Sequence, residues 1–239
     1  VGQSIEEVIE EYKEPNRIEK TPYQYDWWIY NLYEMYLMFG VQDGVVKQVY
    51  TNSSAYDVSP YTMYMSNEEI FRMTIIDGEI SVELGDNIYI YSMNDYDIDN
   101  RILVRLEDLY AQLYLDANQK KLVGIRYMDG ETLVAHQPYE MQFIGELIEA
   151  PVQSSQIILE SQLQNANELL YLINSFRAKY SRSLLQKNDQ LFDIAASLSE
   201  QRYNNELEEL AINNGELTKL LDERNIVYDK AEEIVAIGY

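Results

Sequence analysis

The chain has 239 residues, 41 acidic and 18 basic, for a formal charge of −23; it holds one histidine and no cysteine. Without thiols it can build no disulfide framework, no cysteine-ligated zinc site and no cysteine nucleophile, and one histidine cannot supply a two-histidine metal site or catalytic pair. So large an acidic surplus repels phosphate backbones and anionic membrane surfaces, which argues against nucleic acid as a partner.

The hydrophobic share of 46% excludes a disordered acidic tail. The length allows one large or two ordinary domains. No apolar run approaches the ~20 residues that span a bilayer, and no signal peptide is visible. The chain opens on Val1 rather than methionine, as a processed or trimmed chain would after losing an export signal. Tyrosine is abundant, 22 against 5 phenylalanines. These rings are spread along the first 140 or so residues, which reads as half-buried strand surface; a sugar- or protein-binding platform is the alternative.

In chain order, Ser4-Ile5-Glu6-Glu7 is a capping box, and Ile5, Val8, Ile9 and Tyr12 share one helical face up to Pro15. Tyr23, Tyr25, Trp27 and Ile29 alternate as a strand does, as do Leu37, Phe39 and Val41. Asp43-Gly44 turns the chain into a returning strand from Val45 to Tyr50. Ser66-Asn67-Glu68-Glu69 repeats the capping box. Asp77-Gly78 reads as a turn between strands at Met73–Ile76 and Ile80–Leu84, with another strand from Ile88 to Tyr91. Gln112 to Asp116 and Leu122 to Tyr127 echo the earlier hairpin, and Asp129-Gly130 reads as a third Asp-Gly turn leading to Leu133-Val134. The expected fold is α+β: two degenerate helix-plus-antiparallel-sheet repeats, 1–54 and 60–134, together forming a domain over 1–134. Pro138, Pro151 and Gln153-Ser154-Ser155-Gln156 mark 135–164 as a linker with partial order. Beyond it the pattern is helical: Leu169, Leu170, Ile173 and Phe176 share one face, Leu191, Ile194, Ala195 and Leu198 another, and Leu217, Leu220 and Leu221 mark a third helix.

Two stretches resemble known families. "NELLYLINSFRAKYSRSLLQKNDQLFDIAASLSEQRYNNEL" and "GELTKLLDERNIVYDKAEEIVAIGY" resemble the opening helices and the "AGENIA-GY" segment of a bacterial CAP (SCP/PR-1-like) domain. "EPNRIEKTPYQYDWWIYN" and "FGVQDGVVKQVYTNSS" resemble the CAP-associated N-terminal domain of Firmicutes. A looser likeness links the repeats to those of beta-lactamase inhibitor proteins. The first resemblance implies a mainly helical partial CAP domain, of the α-β-α sandwich type, over 165–239. It also implies a cleft with two histidines and two acidic residues that binds a divalent cation in some members.

On that pattern Leu198, next to Ser199, stands at the first histidine's position. Glu233 stands at the glutamate of "AGENIA", with Glu232 and Ile234 replacing glycine and asparagine. The second histidine motif would lie beyond Tyr239. Leu198, Ser199 and Glu233 are therefore the candidate cleft remnant, and no catalytic residue, metal or cofactor is assigned. One carboxylate holds no zinc ion, and acid–base chemistry needs a second group. The residues by themselves read Glu233 as a solvated helix-end carboxylate and His136, beside Gln137-Pro138, as a surface loop residue.

Asp95, Asp97 and Asp99 match the first three ligand positions of a calcium loop, but Asn100 and Leu106 stand where glycine and a bidentate glutamate belong. These aspartates are the weak metal candidates, with an acidic surface turn as the plainer reading. The expected function is that of a secreted or cell-surface bacterial binding protein. Its partner would be a protein, peptide or cell-wall component, with self-association also open. The alternatives are a CAP protein whose hydrolytic or cation-dependent cleft is completed past Tyr239, and an inhibitor-like module.

Overall fold

The structure, a computed structural model, describes residues 1–32, 35–148, 153–204 and 214–235. Pro151 and the end of the CAP-like segment, 236–239, lie outside the described residues. The chain divides into two compact units, 1–184 and 185–239.

The first unit opens with α1 (Ile5–Tyr12), started by the expected capping box: Glu7 N–H donates to Ser4 Oγ, and Ser4 N–H donates to Glu7 Oε2 at 2.9 Å. Four strands follow: β1 (Arg17–Lys20), β2 (Asp26–Leu32), β3 (Met35–Gln42) and β4 (Val45–Thr51). The β3–β4 hairpin turns at Asp43-Gly44, both residues at positive φ as that tight turn requires. The second half repeats the plan with α2 (Asn67–Met73), whose capping box joins Ser66 and Glu69. Then come β5 (Glu79–Leu84), β6 (Asn87–Ser92), α3 (Asp95–Asn100), β7 (Arg101–Leu106), β8 (Leu109–Leu115) and β9 (Leu122–Met128). After these come α4 (Gly130–His136), β10 (Glu140–Ile144) and α5 (Ser155–Lys179).

The main sheet is antiparallel, in the order β1-β2-β3-β4-β9-β8-β7, and a smaller one runs β10-β6-β5. The two halves of the main sheet meet at their last strands, with Thr51 opposite Ile125 and Gln48 opposite Met128. The repeat extends to detail. Ser4, which caps α1, bridges to Val45 at the start of β4, and Ser66, which caps α2, bridges to Lys121 just before β9.

Cross-strand partners share a sheet face, so the register defines what each face carries. One face is apolar: Tyr30, Leu37, Phe39, Val41 and Val46 bury against Ile5 and Val8 of α1. The opposite face is mixed and mostly buried, with polar side chains set among apolar ones in two rows. One runs Arg17, Ile29, Met38, Tyr50, Arg126, Gln112, Leu103; the other runs Glu19, Trp27, Gly40, Gln48, Met128, Tyr110. Helix α5 lies on the β1–β3 end of this face, placing Tyr171 and Leu172 against Ile29, Tyr36 and Met38. Asn52 Nδ2 donates to Ser175 Oγ at 2.6 Å, and Lys179 Nζ donates to the Asn52 carbonyl.

Several local expectations are corrected. The strand read from Tyr23 begins only at Asp26; residues 21–25 form a loop because the Thr21 hydroxyl lies on the carbonyls of Tyr23 and Tyr25, at 2.8 and 2.6 Å. Met73 ends α2 and 74–78 form no strand, so Asp77-Gly78 joins a helix to β5; the tight turn is at Gly85, which has positive φ. Asp129-Gly130 starts a helix: the Asp129 carboxylate accepts from Thr132 N–H at 2.8 Å and caps α4. The order within the linker 135–164 consists of the end of α4, β10 and the start of α5.

The second unit contains α6 (Asp189–Tyr203) and α7 (Asn214–Glu223). Ile194 and Leu198 of α6 pack with Leu217 and Leu221 of α7, flanked by Leu220, Ile226, Tyr228 and Ala231.

Candidate functional site

Leu198 is 5% exposed in the core of the second unit, while Ser199 on the next step of α6 is exposed. Glu233 is not the solvated helix-end carboxylate its chemistry suggested. It lies after α7 with no helix around it, and Arg202 Nη2 donates to its Oε1 at 2.6 Å, both side chains being largely buried. Leu198 and Glu233 thus have different tasks: one fills a core and the other holds an ion pair.

The calcium-loop candidate is a helix. Asn94 and Asp97 form a capping box that starts α3, and Asp97 is buried. Its Oδ2 accepts from Asn94 N–H and its Oδ1 from Arg101 Nε at 2.6 Å. Asp95 and Asp99 are exposed. The helical twist directs Asp97 inward and the other two outward. Among the described residues, no group of three histidine, cysteine, aspartate or glutamate side chains could hold a metal ion.

Sequence reasoning missed a different cluster, in the middle of the mixed face. His136 is not in a surface loop; it is the last residue of α4, which ends in the left-handed Gln137. Its Nε2 lies 3.0 Å from Tyr25 Oη and 3.1 Å from Arg126 Nη2. A guanidinium can only donate, so Nε2 is the acceptor and the ring is neutral with its proton on Nδ1. Burial, and secondarily the Arg126 charge, push the His136 pKa down from 6.5 to about 2. Burial likewise raises the Tyr25 hydroxyl to about 12, so it remains a neutral donor.

Arg126 Nε donates to Gln48 Oε1 at 2.6 Å, and Nη2 reaches the same oxygen. Trp27 stands 5.8 Å from the guanidinium, and the Tyr23 ring covers His136 with 4.0 Å between centroids. Two glycines make room for this arrangement. A Cβ on Gly40 would come within 2.4 Å of Gln48 Cγ, and one on Gly124 within 3.0 Å of the Tyr50 hydroxyl. The usable sequence signal was Asp129 as an N-cap residue ahead of Glu131 and the apolar Leu133-Val134, a helix start that carries His136 off the loop.

A second charged group sits where α5 meets β1. Arg17 pairs with Glu19 at 2.9 Å and with Glu168 of α5, and its guanidinium lies 3.9 Å over the Tyr171 ring. Burial drives the Glu168 carboxyl above its ordinary pKa, against the pull of Arg17.

This helix-capped, two-half sheet with helices after it is the architecture of the bacterial CAP-domain proteins. Residues 1–139 match the family described as CAP-associated N-terminal, and the chain belongs to it. The chain is 30% identical over 241 residues to the uncharacterized membrane protein YlbC of Bacillus subtilis strain 168, covering 100% of this chain and 70% of that protein. Among solved structures, an extracellular protein containing an SCP domain from Bacillus anthracis superposes with a TM-score of 0.87 at 28% identity, over 96% of this chain and 76% of that one. A cysteine-rich secretory protein from Staphylococcus aureus shares the fold, with a TM-score of 0.79 at 23% identity over 96% of this chain and 75% of that one. Among the described residues, no helix is long and apolar enough to cross a membrane.

Proposed function

We propose that this protein is a non-catalytic binding protein that works on the outer side of a bacterial cell. The observation that carries the reading is the Arg202–Glu233 ion pair at 2.6 Å. The residue at the family's glutamate position is already committed to a guanidinium, and Leu198 offers neither a lone pair nor a titratable proton where the first histidine would be. General acid–base work requires a positioned group free to exchange a proton. The outer location is supported by the solved relative described as an extracellular protein. A membrane protein of Bacillus subtilis, 30% identical to this chain, is consistent with work at the cell surface. The partner is a protein, a peptide or a cell-wall component, and the partly exposed patch of Tyr23, Trp27 and Arg126 on the first unit is the surface assigned to it.

The purified chain is expected to leave peptides and peptidoglycan intact. Hydrolysis that disappears in Glu233→Ala would overturn the reading. Location is tested by protease treatment of intact cells: loss of the protein supports an outer position, and full protection contradicts it.

A further inference from the structure

We propose that the Arg126–His136 cluster is a binding site for a small ligand bearing a carboxylate. This rests on the reading of the chain as a binding protein and supplies the ligand's chemistry. Arg126 is half-buried, and the groups it meets are neutral: Gln48 Oε1, His136 Nε2 and the Tyr25 hydroxyl. Among the described residues no carboxylate pairs with it, although the chain has 41 acidic side chains. Removing a guanidinium from water without a counter-ion is unfavourable, and a bound anion would relieve that cost.

The hydrogen bonds leave a donor for one. Nε and Nη2 make the hydrogen bonds to Gln48 and His136, and Nη1 takes part in none of these. Its two N–H groups lie in the guanidinium plane, where a carboxylate oxygen is gripped by charge-assisted hydrogen bonds. The protein holds this fork still: Gln48 is fully buried and locks one edge, with Gly40 giving its side chain room.

Charge favours a monoanion. His136 is neutral and brings no second positive charge, so a phosphate dianion would be left half compensated in a molecule of charge −23. The walls favour a ligand with an apolar or ring portion beside its carboxylate. Tyr23 and Trp27 are each partly exposed and flank His136 and Arg126. A peptide chain end and an acidic sugar share this chemistry.

His136 is the single histidine of the chain, so its imidazole NMR signals report this cluster alone. The experiment titrates the whole chain with N-acetylalanine and with glucuronate, each beside its uncharged amide. At least one carboxylate should displace the His136 signals saturably, while its amide should bind about tenfold or more weakly. The better of the two carboxylates identifies the peptide or the sugar source. Arg126→Gln should abolish the displacement. If neither carboxylate acts saturably, or the amides match them, the proposal is overturned, and that comparison needs no variant to fold. Silent His136 signals would overturn this proposal alone, whereas Glu233-dependent hydrolysis would overturn the reading it rests on.

Discussion

His136 shows how burial changes what a residue can do. Free histidine titrates near pH 6.5, but here the charged form would lie beside Arg126 in a half-buried site, and the pKa falls to about 2. A base whose pKa falls on folding contributes stability that is present above pH 6.5 and lost as the pH drops toward 2, because the unfolded chain then binds a proton the folded one refuses. The imidazole signals should therefore stay unmoved from pH 8 to pH 4, while urea unfolding shows stability falling below pH 6.5. The slope from this residue is at most about 1.4 kcal/mol per pH unit. His136→Gln keeps an uncharged acceptor for Arg126 and Tyr25 and should remove that part of the slope. A histidine signal that titrates near 6.5 in the folded chain would contradict the burial argument.

At the scale of elements, the hairpins and capped helices were legible because their determinants are local. Ser4 with Glu7, Ser66 with Glu69 and Asp43-Gly44 each specify a terminus or a turn within four residues. Asp129-Gly130 misled for the same reason, since Asp-Gly serves a hairpin or a helix start equally well. The contact between Gln48 and Arg126 joins residues 78 apart, and it depends on how two strands align rather than on any spacing. The docking of α5 is equally non-local: Glu168 meets Arg17 across 151 positions. Burial raises the Glu168 pKa above its ordinary 4.5, with Glu19 adding to the shift and Arg17 opposing it. A carboxyl with a raised pKa gives stability that is complete below pH 4.5 and is lost as the pH rises through the folded value. Chemical unfolding of the parent should therefore show α5 held more weakly at pH 8 than at pH 5. Glu168→Gln, which stays neutral and can still accept from Arg17, should flatten that loss. Its stability should equal or exceed the parent's at pH 8, by on the order of 1–3 kcal/mol. A variant that is weaker than the parent at pH 8 would mean the Arg17 ion pair outweighs the burial cost.

For the molecule as a whole, the candidate cleft was the part least readable from sequence. The motif identified positions 198 and 233, but motif position does not say whether a side chain faces a cleft, a core or a cation. Leu198 shares an apolar helical face with Ile194 in the sequence pattern, but its partners on α7 follow only from the fold. The second unit, 185–239, is small, and small units bury a low fraction of their surface and are correspondingly marginal. Among the described residues its core has four buried side chains, so Leu198→Ala should cost about 2–4 kcal/mol there. Both tryptophans of the chain, Trp27 and Trp28, are in the first unit, whereas far-ultraviolet circular dichroism also follows α6 and α7. In a urea titration of Leu198→Ala, the dichroism transition should acquire an early phase while the tryptophan transition keeps its midpoint. If both probes shift together, the two units unfold as one cooperative body, and the leucine at the histidine position supports the sheet as well as its own helices.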